Sequence, residues 1–400
     1  MPAITVFDFL SHDFMHHPFN EGYLRTLRAG FPDDRIVLHA RQGHIDLLAP
    51  RFAAADRIDF RPCPPFAVPF GLSRHNPLGG RLAARRCWQA AIQSIGGTEL
   101  RMAALLGADA NLYATFASRW PAFSAAPLHL ILHNHLAEAM RWRSRNPLIR
   151  AFDLRAVMQR PLPPNVRLVA LELGIRDAAV AVAPALAPSV ETLEHPVLES
   201  EWARERPAPS DDEPLRIAFV GHASAGKGFD LFAGWARRHA RPGLEFHAIG
   251  IASPDALAMD LGGLTRRPAA RSESRPDYLA ALAACDLVCL PLPPRSYEYV
   301  ASGSVIDAIA ALKPLFSIRN RSLDAIAAKY GAIGHLAATA EALGEAIGRL
   351  DRRSFAAERD TWTANLLRLR AARRPEALAP GYAAAVSGAG PVHVKAGVAP

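Results

Sequence analysis

Residues 297–314 decide the fold, and they read Tyr-Glu-Tyr-Val-Ala-Ser-Gly-Ser-Val-Ile-Asp-Ala-Ile-Ala-Ala-Leu-Lys-Pro. The apolar segment 286–292 lies just before them and is interrupted by a proline, which predicts a buried strand. Apolar residues then recur at helical spacing from Val305 to Leu312, so we expect a helix to begin near Ser302.

The start of this predicted helix is a candidate anion site. Ser302 or Ser304 is the expected N-cap, and Gly303 would let another group approach the backbone closely. The first N–H groups of a helix lack partners and the positive end of its dipole lies there, so such a start attracts anions. An ordinary capped helix without a ligand explains the same pattern.

A second glycine-rich stretch, residues 221–228, reads Gly-His-Ala-Ser-Ala-Gly-Lys-Gly between a predicted strand and a predicted helix. It nearly matches the P-loop, but Gly228 stands where the P-loop has the hydroxyl that holds magnesium. An NTPase is therefore the weaker hypothesis. A third interpretation is that Gly221 makes a turn and Lys227 is a solvated cation.

Residues 297–314 resemble the donor-binding signature of GT-B glycosyltransferases, especially the large retaining family of bacterial polysaccharide and lipid glycosyltransferases. That signature has an acid, a short loop and a helix that opens with a second acid before a proline. Asp307 lies seven residues before Pro314, as the second acid should. The first acid falls on Tyr299, and Glu298 is one position early, so either the loop differs by one residue or Tyr299 has taken the place.

The resemblance implies a donor site for a nucleotide-diphosphate sugar. Asp307 would accept hydrogen bonds from the ribose hydroxyls, although its spacing from Ser304 also fits a capping box. Lys227 would neutralise the diphosphate as the nucleoside diphosphate leaves. The candidate donor-binding residues are Gly221, Lys227, Gly228, Tyr299, Ser302, Gly303, Ser304 and Asp307.

The first half of the chain predicts a βαβ unit, with strands at 4–10 and 35–40 around a helix at 20–30. A later strand is predicted at 128–133. Open α/β sheets bind ligands at the carboxyl ends of their strands, which makes His133 a candidate. The family often has a histidine here that touches the transferred sugar; a structural histidine is the alternative.

The loop after the first strand carries His12, Asp13, His16 and His17. In inverting relatives a base comes from this loop, and in retaining ones the loop shapes the acceptor site. We take Asp13, His133 and Glu298 as the candidate catalytic residues. The spacing of these groups sets no tetrahedral metal site, and Lys227 with the helix start would replace a metal electrostatically, so no metal or other cofactor is expected.

Residues 199–214 are rich in proline and charge, which predicts a linker, and a fresh strand begins at Leu215. The predicted fold is α/β of the GT-B type, with two Rossmann-like domains whose parallel sheets face a central cleft. The domains are a Rossmann-like acceptor domain at 1–198, the linker at 199–214 and a Rossmann-like nucleotide-sugar-binding domain at 215–375. We expect a flexible tail at 376–400.

The composition is that of a globular protein, since half of the 400 residues are hydrophobic. The net charge of +8 favours anionic partners, but the dispersed arginines and the lack of a recognition motif argue against nucleic acid. The N-terminus lacks a basic region and carries Asp8, as expected of a first strand rather than a signal peptide. Four scattered cysteines predict a cytoplasmic location.

Two basic stretches suit an anionic membrane surface: residues 141–152, and the arginines 74, 81, 85 and 86 beside Trp88. A solvated face is the alternative. The resemblance thus implies a cytoplasmic glycosyltransferase that transfers a hexose to a glycan or a lipid-linked acceptor, in polysaccharide or glycolipid synthesis. If the acceptor is a lipid, we expect the enzyme to be peripheral at the inner face of the membrane. A catalytically silent relative that binds sugar or protein is the other hypothesis.

Overall fold

The computed structural model describes residues 2–67, 76–133, 136–202, 210, 212–293, 297–386 and 392–393. The chain forms two compact units. Unit 1 comprises Met1–Pro196 together with Pro375–Pro400, and unit 2 comprises Val197–Arg374. Half of the predicted linker, residues 203–209 and 211, lies outside the described part of the chain.

Unit 1 is built on a sheet of seven parallel strands in the order β3-β2-β1-β4-β5-β6-β7, and Val392–His393 pairs antiparallel with β4. The strands are β1 (Ala3–Phe7), β2 (Arg35–Ala40), β3 (Ile58–Pro62), β4 (Glu99–Leu106), β5 (Leu128–Ile131), β6 (Val166–Ala170) and β7 (Val190–Thr192). Its first helices are α1 (His17–Gly30), α2 (Gln42–Leu48), α3 (Pro77–Ile95), α4 (Ala110–Phe123), α5 (Leu136–Arg141), α6 (Pro147–Arg150), α7 (Leu154–Met158) and α8 (Leu173–Val182).

The predicted βαβ unit at the start of the chain is confirmed. Strand β2 has the predicted bounds, whereas β1 stops at Phe7 instead of residue 10. The reason is Asp8, whose Oδ1 accepts hydrogen bonds from the N–H groups of Leu10 (3.2 Å) and Ser11 (2.8 Å). A side chain that bonds the backbone two or three residues ahead turns the chain and ends the strand.

Unit 2 contains a second parallel sheet, in the order β12-β11-β10-β8-β9. Its strands are β8 (Leu215–Val220), β9 (Leu244–Ile249), β10 (Leu287–Leu290), β11 (Leu315–Ile318) and β12 (Leu336–Ala337). Its helices are α9 (Phe229–His239), α10 (Pro254–Leu257), α11 (Arg275–Ala283), α12 (Gly303–Ala310), α13 (Arg321–Tyr330), α14 (Ala340–Arg349) and α15 (Arg352–Ala372). The α/β class with two parallel-sheet units is confirmed, and so are the strand and helix predicted around residues 286–312.

The last helix, α16 (Pro375–Val386), returns to unit 1 and packs against α1. Tyr382 carries the contact: its hydroxyl lies 2.8 Å from the hydroxyl of Tyr23 and 2.7 Å from Nδ1 of His129 on β5. Burial lowers the pKa of His129 to about 4, so the ring is neutral at pH 7. The predicted flexible tail is therefore wrong for residues 376–386. The stretch is rich in alanine, and this made its helical pattern hard to recognise in the sequence. One face of the helix, with Ala379, Tyr382 and Val386, is buried.

None of the described helices has the length and hydropathy needed to cross a membrane.

Candidate functional site

Lys227 lies at the carboxyl end of β8, in the short 3₁₀ turn Ala225–Lys227 that precedes α9. Its side chain is only 8% exposed, and its Nζ donates a hydrogen bond to Ser304 Oγ at 2.5 Å and a longer one to the Val220 carbonyl at 3.4 Å. Ser304 Oγ donates in turn to the same carbonyl at 3.0 Å. The interpretation of Lys227 as a solvated cation is therefore wrong.

The charge on this lysine is poorly compensated. Burial lowers its pKa to about 8, while Asp307 acts in the opposite direction but does not restore the usual value. Its described hydrogen-bond acceptors are a hydroxyl and a backbone carbonyl, both neutral. An anion placed against Nζ would stabilise the protonated form, so this corner of unit 2 is electrostatically suited to phosphate.

Two glycines allow the segments around Lys227 to close. Gly221 has φ +88°, and a Cβ there would lie 2.5 Å from Ser304 Oγ and 2.8 Å from Lys227 Nζ. Gly228 has φ +77°, and its Cβ would lie 2.7 Å from the Cβ of Pro291. A side chain at 228 is therefore both strained and obstructed, which counts against a P-loop, because that loop requires a hydroxyl at this position.

The start of α12 is open where the sequence predicted an anion site. Ser302 stands at the N-cap position but makes no side-chain cap, and its hydroxyl oxygen is buried without a hydrogen-bond partner among the described residues. A Cβ at Gly303 would meet nothing within 4 Å. The first turn of the helix can thus be approached closely, and Ser304 links it to Lys227.

Asp307 does not form the capping box. Its Oδ1 accepts a hydrogen bond from Arg275 Nη2 at 2.6 Å, and its Oδ2 accepts one from the Tyr278 hydroxyl at 2.7 Å. A carboxylate offers about four acceptor sites, so capacity for a ligand hydroxyl remains. Sequence reasoning missed Arg275 and Tyr278, since both lie on α11, about thirty residues earlier, in no recognisable motif.

The two candidates for the first acid lie in a turn ahead of α12. Glu298 forms an ion pair with Arg321 Nε at 2.8 Å, which holds its carboxylate toward α13. Tyr299 is half-buried.

In unit 1, the candidate His133 follows β5 and is buried. Its ring stacks on His16 with 4.3 Å between centroids and meets the edge of Phe19 at the same separation. His16 begins α1 with a left-handed backbone (φ 55°), and burial lowers its pKa, although nearby Asp8 acts against this. The structure thus brings together His133 and the loop after β1.

Asp13, the third catalytic candidate, lies apart from these rings. Its carboxylate is 72% exposed and contacts His12 Nδ1 at 3.3 Å. The acid of this region that is buried is Asp8, whose Oδ2 accepts a hydrogen bond from Asn20 Nδ2 at 2.8 Å. The same amide lies 2.9 Å from His44 Nε2, and His44 Nδ1 lies 2.8 Å from the Asp13 carbonyl.

These contacts assign the hydrogen-bond roles of the two ring nitrogens of His44. The Asn20 amide donates to both neighbours, so Nε2 of His44 accepts and Nδ1 donates to the carbonyl. The sequence offered one weak signal for this cluster, an aspartate directly after an apolar strand. Within the described residues, no three His, Cys, Asp or Glu side chains are grouped as metal ligands would be.

The two basic stretches fit the expected membrane-facing surface only in part. Trp88 is buried against Phe116, so it cannot lie at a headgroup level, and Arg150 Nε donates to the Ser144 carbonyl at 2.9 Å. Arg143 and Arg145 are exposed. Arg74 and the side chain of Arg141 lie outside what the structure describes.

No protein-family model matches the chain, and no curated protein sequence is significantly similar to it. Solved structures are similar over nearly its whole length. HepE of Anabaena, solved with UDP-glucose, has a TM-score of 0.65 at 14% identity, covering 96% of this chain and 100% of that one. The lipopolysaccharide outer core galactosyltransferase WaaB has a TM-score of 0.62 at 15% identity, covering 96% and 99%.

WaaG, a glycosyltransferase involved in lipopolysaccharide biosynthesis, has a TM-score of 0.63 at 13% identity, covering 97% of this chain and 100% of that one. These likenesses establish the GT-B fold and confirm the resemblance to GT-B glycosyltransferases. At such identities they concern the fold alone.

Proposed function

We propose that this protein is a glycosyltransferase that moves a sugar, most simply a hexose, from a nucleotide-diphosphate sugar to an acceptor. The observation that carries the proposal is the contact between two residues. The buried Lys227, at the carboxyl end of β8, is hydrogen-bonded to Ser304, in the first turn of α12. The carboxyl edge of an open parallel sheet is where such folds bind nucleotides. The printed names of HepE with UDP-glucose and of WaaB fit this class of donor.

The chemistry follows from the charges. As the glycosidic bond to the donor breaks, negative charge develops on the leaving diphosphate, and Lys227 with the start of α12 stabilises it. Asp307, held by Arg275 and Tyr278, presents its remaining acceptor sites to the ribose hydroxyls. Glu298 or Tyr299 takes the role of the first acid in the family's donor-binding signature. A catalytic role of Asp13 stays a prediction.

Unit 1 contributes the acceptor side of the reaction. His133, at the end of β5, hydrogen-bonds the transferred sugar, because open parallel sheets bind ligands at the carboxyl ends of their strands and an imidazole can exchange hydrogen bonds with hydroxyl groups. The acceptor is a glycan or a lipid-linked sugar, which places the enzyme in polysaccharide or glycolipid synthesis, in the cytoplasm or peripherally at the inner membrane face. The exposed Arg143, Arg145 and Leu148 support the membrane-peripheral form.

A catalytically silent relative that binds sugar or protein is the second candidate. Two features favour this candidate. The carboxylate of Glu298 is paired with Arg321, and position 299 carries a tyrosine where the family has an acid, so neither residue offers a free carboxylate there. Nucleotide sugars that stabilise the protein thermally would be identified first and then assayed for hydrolysis and transfer. Binding without either reaction would select the silent relative.

The assignment of Lys227 is tested by Lys227→Ala with titration of UDP and uridine. A charge-assisted contact to phosphate contributes about 1.5–3 kcal/mol, so UDP affinity should fall about tenfold or more while uridine affinity holds. Lys329→Ala removes a lysine from the exposed side of α13 and is the matched control. An equal loss for both ligands would refute the role of Lys227.

A further inference from the structure

Unit 1 contains a cavity of about 410 Å³ between α3, α4 and the segment that follows α6. Four arginines line it, and no carboxylate does. Arg81 and Arg85 come from α3, Arg119 from α4 and Arg160 from the segment after α7. A cavity bounded by four guanidinium groups carries a strong positive potential.

The described residues supply none of these four guanidiniums with an ion pair or a hydrogen bond; the one contact recorded is Arg81 over the ring of Phe152, 4.0 Å from its centroid. Two other arginines of unit 1 are neutralised, Arg101 by Asp34 and Arg35 by Asp59. Each guanidinium has five N–H donors in a planar fork that matches a phosphate. The cavity therefore concentrates donors and charge that the fold itself does not use.

Tyr113 provides an independent observation. It lines the same cavity, its side chain is 1% exposed, and its hydroxyl is buried without a hydrogen-bond partner among the described residues. Burial raises the pKa of this phenol, so the hydroxyl keeps its proton and can donate. A buried hydroxyl without a partner is costly, and an oxygen of a bound ligand would remove that cost.

The surroundings of the cavity are partly apolar. Val157 and Leu162 line it, and the exposed Leu78 and Leu82 share one face of α3 with Arg81 and Arg85, one helical turn apart. We propose that this cavity binds a phosphate monoester, held by the arginines and the Tyr113 hydroxyl, with the organic part of the ester against the apolar residues. The site is distinct from the Lys227 site of unit 2, and the proposal does not depend on the proposed transferase activity.

The test uses the full chain and isothermal titration with two probes, glucose 1-phosphate and dihexanoyl phosphatidic acid below its micelle concentration. Dihexanoyl phosphatidylcholine, a phosphodiester with no net charge, is the negative control. Binding of phosphatidic acid alone identifies a lipid phosphate, binding of glucose 1-phosphate alone identifies a soluble sugar phosphate, and binding of both means that the monoester suffices. If neither probe binds, the proposal is wrong.

The double variant Arg85→Gln/Arg160→Gln should weaken binding of the active probe about tenfold or more, as loss of charge-assisted contacts predicts. The matched control Arg57→Gln/Arg176→Gln removes the same charge from exposed positions of unit 1, outside the cavity lining and outside both basic stretches, and should change affinity about twofold at most. Tyr113→Phe should weaken binding without lowering the melting temperature. Equal losses in the two double variants would overturn the proposal.

To distinguish the two sites, each variant is also titrated with the ligand proposed for the other site. Lys227→Ala should bind the phosphate monoester as the unmodified chain does, and Arg85→Gln/Arg160→Gln should bind UDP unchanged. If none of UDP, GDP and ADP binds, the transferase proposal falls and the phosphate site stands on its own titration. If Lys227→Ala loses the monoester, that ligand occupies unit 2 and the cavity assignment is wrong.

Discussion

The carboxyl edges of the two parallel sheets carry different chemistry. In unit 2 the edge holds a buried ammonium, Lys227, whose pKa burial lowers to about 8. In unit 1 it holds His16, whose pKa is lowered by burial, together with the amide of Asn20 and the ring of His44. At pH 7 the first edge keeps its cation, whereas burial favours the uncharged ring of His16 at the second.

This difference makes the two edges chemically suited to different kinds of ligand. A buried cation next to a helix start discriminates for a diphosphate. Neutral donors and acceptors fixed by one another discriminate for hydroxyl groups, since they exchange hydrogen bonds without the cost of removing a charge from water. The predictions below test each side of this comparison.

The largest effect is expected from Gly221→Ala, which would break the unit 2 site. The left-handed backbone alone should lower the free energy of unfolding by about 1–3 kcal/mol, and the new Cβ would also displace Ser304 and Lys227. Thermal denaturation and UDP titration measure both losses. Gly226→Ala is the control in the same loop, because its Cβ would meet nothing within 4 Å. Equal stability of the two variants would contradict the packing described here.

The second prediction concerns pH. A bound diphosphate raises the pKa of Lys227 above its free value of about 8, so UDP binding should be full below pH 8 and fall as pH rises toward 9.5. The loss should reach about tenfold, as expected for one charge-assisted contact. Lys227→Ala should bind UDP weakly with no such dependence. Titration in buffers of different ionisation enthalpy at pH 8.5 should detect proton uptake by the unmodified chain, and its absence would contradict the assignment.

The smallest effect is expected from His133→Phe in unit 1. A phenyl ring keeps the stacking on His16, so the unfolding free energy should change by less than about 1 kcal/mol. Sugar transfer should slow by up to about tenfold, the value of one neutral hydrogen bond, with UDP affinity unchanged. Single-turnover assays with the preferred donor measure this. Unchanged transfer would remove His133 from the reaction and leave it a structural residue.

The local features could be predicted from the amino-acid pattern. The spacing of apolar residues predicted β2, β8, β10 and α12. The glycines and the lysine at 221–228 predicted the loop at the end of β8. These features depend on neighbouring residues, through side-chain alternation, helical spacing and turn chemistry, and so they can be predicted from a linear pattern.

The contacts between distant residues, in contrast, depend on how the chain packs. Lys227 and Ser304 are 77 residues apart, and Asp307 meets Arg275 and Tyr278 because α11 packs near the start of α12. The docking of α16 on α1 joins Tyr382 to Tyr23 across 359 residues. Such pairs depend on strand order and helix packing, which local patterns do not encode, and burial then sets the charge of each group.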